Sequence, residues 1–307
     1  MAGRSRAWVR TVMAVLALVA VAALAVVAAR WSRRGDDPSI RVDRGLVYGS
    51  AGGRPLELDL YRPGLGRWKG LRPAIAMIHG GAWIKGDKRD DRDLAEHFVR
   101  AGFVAVAINY RLAEDDASRY PAQLDDVQKA VRWVRKHAAE YGIDPNRVGA
   151  FGHSAGGHLA ALLGTTETRD DSDPALAGTS SRVDCAVDCA GPSDFTDDAN
   201  PPIGPAIAWV VPNLFGKAKA EAPEMYREAS PIIHVDAKAS PTLIVHGTED
   251  PTVPIEQGRR LFVKLREAGV DARLVELEGE GHLFESPGAV RTWLAEMMAF
   301  LKGHLKP

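Results

Sequence analysis

Cysteine is scarce in this chain of 307 residues. The two cysteines present, Cys185 and Cys189, lie in one apolar stretch that is predicted to be a strand, where residues four apart are about 13 Å from each other. That distance excludes a disulfide between them. We therefore predict two buried, free thiols that pack as small hydrophobic side chains.

Net charge is also small, at −1 with acidic and basic residues interspersed along the chain. A protein without a basic patch lacks the electrostatic footprint of nucleic-acid binding, so no nucleic-acid partner is expected. The sequence has no repeat of about 20 to 50 residues, no zinc-type spacing of Cys and His, and no phosphate-binding glycine loop. We therefore expect neither a metal ion nor a cofactor.

An apolar run near the N-terminus, residues 12–29, contains no charged residue and has arginines on both sides. As a helix it would be about 27 Å long, close to the thickness of the hydrocarbon core of a bilayer. The run is predicted either to remain as a membrane anchor or to be removed as a signal peptide, for which Ala23-Leu24-Ala25 offers a cleavage site. Both roles export the rest of the chain, either anchored to the membrane or, after cleavage, secreted.

Residues 1–36 hold this run and a short polar linker, and residues 37–307 are predicted to form one domain. The chain is 46% hydrophobic, which is enough for a large buried core. Alternating apolar and polar residues over 56–61 predict a half-buried antiparallel strand at a sheet edge. Short apolar runs predict further strands over 74–78, 103–108, 148–151, 183–190, 243–245 and 274–277. Helical patterns lie between most of these runs, at 122–141, 154–163, 256–268 and 288–301.

The alternation of strands and helices predicts an α/β fold, with a mostly parallel central sheet and helices on both faces. Residues 191–240 carry seven prolines and no clear strand. They are predicted to form a short cap insertion. Within the insertion, residues 207–215 are apolar enough to form a helix.

The pentapeptide Gly152-His153-Ser154-Ala155-Gly156 lies between an apolar run and a helical pattern. That order, strand then sharp turn then helix, pushes a serine out above the end of the sheet, and small neighbours are needed because the turn leaves no room for side chains. Ser154 is therefore the candidate nucleophile.

Two later segments carry the other groups that an activated serine requires. Asp250 lies in a turn after the run 242–246, and His282 lies in the glycine-flanked loop 279–282. The order Ser, acid, His fits a serine on an α/β sheet. A serine hydroxyl is a poor nucleophile near pH 7, so an imidazole must take its proton, and a carboxylate must orient that imidazole and stabilise its cation.

Asp194 and Glu249 are alternatives for the acid. Asp194 follows the preceding strand, and Glu249 adjoins Asp250. The Asp250-Pro251 junction favours a turn that lifts the aspartate side chain, so we prefer Asp250.

The remaining histidines are expected to take no part in proton transfer. His79 is interpreted as an organiser of the glycine loop that it opens, and His246 as a structural residue. The rings of His153 and His158 are expected to point away from the reacting groups, because the turn at the serine directs its neighbours elsewhere. The other four show no sign of a site: His97, His137, His234 and His304.

Several motifs together resemble the α/β-hydrolase family, and more closely its esterases of the hormone-sensitive-lipase-like and feruloyl/acetyl-xylan-esterase-like branches. The resemblance covers residues 40–301. Its motifs are His79-Gly-Gly-Ala-Trp83, Asn109-Tyr-Arg-Leu112, Tyr120-Pro-Ala-Gln-Leu124, Gly152-His-Ser-Ala-Gly156, His246-Gly-Thr-Glu-Asp250 and Gly281-His282.

The resemblance implies a role for each candidate. Ser154 would be the nucleophile, His282 the general base and Asp250 the acid that orients it. The backbone N–H groups of Gly81, Ala82 and Ala155 would form an oxyanion hole. The family often has His-Gly-Gly-Gly where this chain has Ala82, whose Cβ narrows the allowed backbone angles, so Gly81 and Ala155 are the safer donors.

These observations predict a serine esterase that cleaves carboxylic esters through an acyl-enzyme. Its substrates would be small esters or acetyl and feruloyl groups on polysaccharide, and Trp209 and Phe215 would either face an acyl pocket or simply pack on the body of the domain. The alternatives are an amide hydrolase, similar to arylformamidases or prolyl peptidases, and a non-catalytic binding module on the same fold. The oligomeric state is left open.

Overall fold

The computed structural model describes residue 37, residues 39–64 and residues 70–307. The predicted apolar run 12–29 lies outside these residues, and so does almost all of the linker. None of the helices in the described part combines the length and the apolar character that crossing a bilayer requires.

Eight strands of the described chain form one sheet, in the order β1-β2-β4-β3-β5-β6-β7-β8. The strands are β1 (Ile40–Ala51), β2 (Arg54–Pro63), β3 (Arg72–Ile78), β4 (Val104–Ile108), β5 (Ile143–His153), β6 (Cys185–Cys189), β7 (Thr242–Gly247) and β8 (Ala272–Leu277). Strand β2 is antiparallel to both of its neighbours, and the pairs from β4 to β8 are parallel. The predicted mostly parallel sheet is confirmed.

Helices cover both faces of the sheet. They are α1 (Arg92–Arg100), α2 (Ala122–Lys136), α3 (Ala138–Tyr141), α4 (Ala155–Thr165), α5 (Val210–Phe215), α6 (Pro223–Glu228), α7 (Glu256–Glu267) and α8 (Pro287–Leu305). Apolar residues of α2, α4 and α7 pack on one face, and those of α1 and α8 pack on the other. Cys185 and Cys189 are buried and free on the α1 and α8 face, as predicted.

The position of β2 differs from the prediction for residues 56–61. The strand is antiparallel, but it is not at the edge, because β1 pairs along its outer side. Of the two polar positions that suggested a solvent-facing side, Glu57 is partly exposed, whereas Asp59 is buried and accepts the N–H of Gly45 at 2.9 Å. A buried hydrogen-bonded carboxylate thus produces the same alternating pattern as an exposed one.

Two helical features also differ from the sequence pattern. The pattern over 122–141 is interrupted at His137, which separates α2 from α3 and whose ring Nδ1 lies 2.9 Å from Trp133 O. Helix α1, with nine residues of which three are buried, is not among the helices that the sequence pattern predicts. It is shorter than the window of about 11 residues over which a helical period is recognised.

The insertion between β6 and β7 contains α5 and α6. Gly204 N–H donates to Thr252 O at 2.7 Å, and Asn213 Nδ2 donates to Ala113 O at 2.9 Å. Residues 204–213 therefore run from the loop after β7 to the loop after β4, and both loops leave the carboxyl edge of the sheet. Because β5 and β3 end between those loops, this segment crosses the part of the edge where Ser154 lies.

The two aromatic residues of this segment have different environments. Phe215 is buried against Tyr120, Phe195 and Tyr226. Trp209 is 59% exposed. Of the two interpretations, facing an acyl pocket or packing on the body of the domain, packing therefore holds for Phe215 and not for Trp209.

A carboxyl group lies inside the sheet core. Asp188, on β6, is fully buried, and its Oδ1 accepts the N–H of Gly191 at 2.8 Å. Its Oδ2 and the Nδ1 of buried His246 have no hydrogen-bond partner among the described residues. Burial raises the pKa of Asp188 to about 6, although the nearby His246 acts in the opposite direction. Asp188 thus holds its proton to a higher pH in the folded chain than in the unfolded chain.

We predict that the wild type loses stability between pH ~4 and ~6 and that Asp188→Asn does not, so the variant gains stability relative to the wild type as the pH rises. Between pH ~4 and ~6 the unfolded wild type releases the proton and the folded protein keeps it, so the free energy of unfolding falls by up to about 3 kcal/mol and stays lowered above that range. Asparagine has no such proton. Urea unfolding at both ends of this range measures the difference, with exposed Glu267→Gln on α7 as the charge-removal control. A difference between Asp188→Asn and wild type that does not change with pH would contradict the prediction.

Candidate active site

Ser154 occupies a strained turn between β5 and α4. Its φ is 59° and its ψ is −120°, a backbone region that residues with a side chain rarely adopt. Its N–H donates to Cys189 O at 2.7 Å, which ties the turn to β6. A Cβ on Gly152 would lie 2.2 Å from Gly156 C, and one on Gly156 would lie 2.0 Å from Ile78 O. Both glycines are therefore required for the turn that lifts the serine above the sheet.

His282 lies between Ser154 and Asp250. Its Nε2 is 2.9 Å from Ser154 Oγ, and its Nδ1 is 2.6 Å from Asp250 Oδ2. Because an ionised carboxylate only accepts, Nδ1 carries the proton of the neutral ring, and Nε2 accepts from the serine hydroxyl. The structure thus brings together the three side chains that the sequence nominated, with the ring in the tautomer that can take the serine proton.

The carboxylate of Asp250 is held by several donors. Its Oδ1 accepts the N–H groups of Thr252 at 2.8 Å and Val253 at 3.0 Å. His246 Nε2 lies 3.4 Å from Oδ2 and donates to Val253 O at 2.9 Å. Burial alone would raise the pKa of Asp250, but the hydrogen bonds from His246, His282 and Val253 outweigh it and hold the pKa below its usual value. Asp250 is therefore an anion at neutral pH.

The two alternative acids lie elsewhere. Asp194 Oδ2 pairs with Arg260 at 2.7 Å, and its Oδ1 accepts the N–H of Thr196 at 2.8 Å. Glu249 is exposed, and its backbone N–H donates to Glu280 O. Neither carboxylate has a described hydrogen bond to His282. The structure thus pairs His282 with Asp250, the preferred candidate.

The glycine loop after β3 passes directly beside Ser154. A Cβ on Gly80 would lie 3.6 Å from Ser154 Cβ and 2.9 Å from His153 O. Gly81, Ala82 and Trp83 all have positive φ, at 111°, 54° and 61°. Ala82 therefore adopts the left-handed backbone that glycine would favour, in spite of its Cβ.

Three backbone N–H groups near Ser154 are available to a ligand. The structure describes no protein acceptor for the N–H of Gly81 or Ala82. Ala155 begins α4, where the first N–H groups have no acceptor within the helix. The N-terminus of a helix also favours negative charge. These groups can therefore receive an oxyanion that forms on Ser154.

His79 holds the glycine loop in shape, as interpreted from the sequence. Its Nδ1 donates to Gly80 O at 2.8 Å, and its ring stacks on Tyr110 with 4.3 Å between centroids. The Tyr110 hydroxyl donates to His79 O at 3.0 Å. Burial lowers the pKa of His79, which keeps the ring neutral.

The expectation that the rings beside the serine point away from the reacting groups is wrong for His153. Its Nε2 donates to the backbone carbonyl of His282 at 2.7 Å. His158 instead accepts from Trp83 Nε1 at 3.2 Å and donates to Ala229 O at 2.7 Å, and burial lowers its pKa to about 4. His158 therefore connects the glycine loop to the insertion.

Comparison with known proteins is consistent with this geometry. Residues 58–265 match the model of the BD-FAE family. The chain is 34% identical to the probable carboxylic ester hydrolase LipM of Mycobacterium tuberculosis over 81% of this chain and 58% of that protein. The chain therefore spans little more than half the length of this curated relative.

Several solved structures that are similar to the chain are esterases. A truncated carbohydrate esterase from gut microbiota is 29% identical, with a TM-score of 0.73 over 89% of this chain and 100% of that one. Esterase 2 of Thermogutta terrifontis, phosphonylated by sarin, is 29% identical, with a TM-score of 0.75 over 89% of this chain and 98% of that one. The same esterase has been solved with butyrate and with propionate bound.

The matched family model covers most of the sheet and both Ser154 and Asp250, and the esterase structures extend the likeness over nearly the whole described chain. The chain belongs to the BD-FAE family of esterases with the α/β-hydrolase fold.

Proposed function

We propose that the protein hydrolyses carboxylic esters of short acyl groups through an acyl-enzyme on Ser154. The observation that carries the proposal is the hydrogen-bonded row of Ser154, His282 and Asp250, with separations of 2.9 and 2.6 Å, beside open backbone N–H groups. This row supplies a nucleophile, a base and a fixed countercharge in one place.

The first half of the reaction forms the acyl-enzyme. Ser154 Oγ attacks the ester carbonyl carbon while His282 Nε2 takes the hydroxyl proton. The carbonyl oxygen becomes an oxyanion and accepts hydrogen bonds from the N–H groups of Gly81, Ala82 and Ala155. When the tetrahedral intermediate collapses, His282 gives its proton to the departing alkoxide, and the alcohol leaves.

The second half releases the acid. A water molecule attacks the acyl carbon, and His282 again takes the proton. Collapse of this intermediate breaks the bond to Ser154 Oγ, which regains its proton from His282, and the carboxylic acid departs. Asp250 remains ionised throughout and stabilises each His282 cation.

The structural relatives support short acyl groups on an accessible substrate. The Thermogutta esterase binds butyrate and propionate, and the truncated form of a carbohydrate esterase matches over 100% of its chain. Ser154 and His282 are both partly exposed in this chain, so an ester on the outside of a larger molecule can reach them. We infer that acyl groups on carbohydrate are the natural substrate class.

We predict that the wild type hydrolyses p-nitrophenyl acetate and butyrate faster than the palmitate, and that paraoxon labels Ser154 covalently. Ser154→Ala should take no label and lose on the order of 10⁶ in kcat, because the nucleophile is gone. Ester assays and intact-mass spectrometry give these values, with Ser172→Ala, an exposed serine, as the matched control. Labelling of the Ser154→Ala variant to the wild-type extent would refute the proposed nucleophile.

Acetylated xylo-oligosaccharides, feruloyl esters, formylkynurenine and a prolyl peptide extend the panel. Release of acetate or ferulate from the carbohydrate substrates is the expected result. Turnover confined to the two amides would replace the esterase proposal with an amidase. A wild type that cleaves none of these substrates and takes no label would be a binding module.

We predict that Asp250→Asn lowers kcat by on the order of 10⁴, because the amide no longer stabilises the His282 cation or fixes its tautomer. Asp194→Asn removes a carboxylate that is paired with Arg260 and should change kcat by less than about tenfold, since it contacts neither reacting residue. Steady-state kinetics on p-nitrophenyl acetate compare the two. A greater loss at Asp194 would move the role of the acid to that residue.

From the apolar run 12–29 we also propose that the catalytic domain is exported. Cell fractionation and the N-terminal sequence of the mature protein separate the two routes: an intact N-terminus in the membrane fraction means an anchor, and a shortened chain in the extracytoplasmic fraction means a cleaved signal. Recovery of the intact chain in the cytoplasm would contradict export.

A further inference from the structure

His153 is the last residue of β5, immediately before Ser154. Its ring lies against two residues of the loop after β8. The ring centroids of His153 and His282 are 4.8 Å apart, and the ring of Phe284 meets His153 edge-on at 5.7 Å. His153 thus connects the strand that carries the serine to the loop that carries the base, across 129 positions in sequence.

The contact is a directed hydrogen bond. His153 Nε2 lies 2.7 Å from the backbone carbonyl oxygen of His282. Since a carbonyl can only accept, Nε2 carries the proton and donates it. This bond holds the backbone of His282, and therefore the origin of its side chain, at a fixed distance from the end of β5.

Apart from the bond of the His282 ring to Asp250, the described hydrogen bonds that join this loop to the acid loop after β7 lie before His282. Glu249 N–H donates to Glu280 O at 3.0 Å, and Gly279 N–H donates to Thr248 Oγ1 at 2.8 Å. Beyond His282, Ser286 N–H donates to Glu280 Oε2 at 3.4 Å within the loop itself. Phe284 has a positive φ of 54°, a conformation that persists only where its surroundings hold it. His153 is therefore placed to fix the part of the loop that the acid loop does not reach.

The donor is also neutral, which this position requires. The titratable groups that act on His153 are His282, Asp250 on the loop after β7, and His246 on β7. Burial and the adjacent His282 lower the pKa of His153 to about 3. The ring therefore keeps one N–H for the carbonyl and adds no positive charge beside the His282 cation that forms in the reaction.

We propose that His153 is a positioning residue for the base: its hydrogen bond to the His282 carbonyl keeps Nε2 in line with Ser154 Oγ and Nδ1 in line with Asp250. The proposal rests on the serine-hydrolase mechanism above, and it adds a fourth side chain to that mechanism without any transfer of a proton to or from His153. A displacement of about 1 Å in a reacting group can cost about 100-fold in rate, so a bond at the root of the His282 side chain can affect turnover.

The test compares two variants of similar side-chain length in the full chain. His153→Gln keeps an N–H that can reach the carbonyl, whereas His153→Met has no donor. We expect the Gln variant to stay within about 3-fold of the wild-type kcat on p-nitrophenyl acetate, and the Met variant to lose about 10- to 100-fold in kcat with KM changed by less than about 3-fold. His153→Phe, which keeps the ring contacts and also lacks the donor, should match the Met variant and replaces it if the Met variant does not fold.

A second readout does not depend on activity. The proton in the 2.6 Å bond between His282 Nδ1 and Asp250 should give a far-downfield resonance in the proton NMR spectrum. We expect this resonance in the wild type and the Gln variant, and its loss or broadening in the donor-free variants.

Either of two results would overturn the proposal: donor-free variants with wild-type kcat and resonance, or an equal loss of kcat in the Gln variant and the donor-free variants while the resonance persists in all. The second result would mean that only the shape of the ring matters. An inactive wild type would refute the proposed function instead, and the NMR comparison would still decide whether His153 positions His282.

Discussion

The close packing of the N-terminus of α4 against the end of β3 is the constraint on which the site depends. A Cβ at Gly156 would lie 2.0 Å from Ile78 O, so only glycine allows the helix to begin where it does. That approach forces Ser154 into its strained backbone conformation and places the first N–H groups of α4 next to the glycine loop that leaves β3. The positions of the proposed nucleophile and of the groups that can receive an oxyanion are thus set by one contact between two backbones.

Several titratable side chains near this contact are uncharged, so the negative charge of Asp250 has few competitors. Burial lowers the pKa of each of the histidines 79, 153 and 158, so these rings serve as neutral donors and acceptors. Asp250 keeps its negative charge because several hydrogen bonds outweigh its burial. The attraction between that carboxylate and a His282 cation acts where the Asp250 side chain is fully buried and the His282 side chain is 13% exposed, and electrostatic energies there are larger than at an exposed surface.

The sequence predicted the parallel sheet and the three side chains of the row, because both depend on local patterns: short apolar runs, and loops that follow them at one edge of the sheet. It could not place β2 inside the sheet, since buried Asp59 gives the same alternation as a solvent-facing residue. The prediction from the sequence that the His153 ring points away from the reacting groups was also wrong. The turn at Ser154 fixes the backbone position of His153, but the acceptor of the His153 ring is the carbonyl oxygen of His282, 129 residues away in sequence. Contacts of that kind follow from tertiary packing, which leaves no local pattern in the chain.

The path of the insertion between β6 and β7 has a consequence for how this protein and its relatives can diverge. Residues 204–213 join the loops after β7 and β4 through bonds near their two ends, whereas the turn at Ser154 is held by β3, β5 and β6. Exposed Trp209 can therefore change without moving the residues of that turn, whereas its neighbour Val210 is buried in the core and is constrained by packing. Under the proposed function, selection for a different substrate can act at this exposed position while the turn that holds Ser154 stays unchanged.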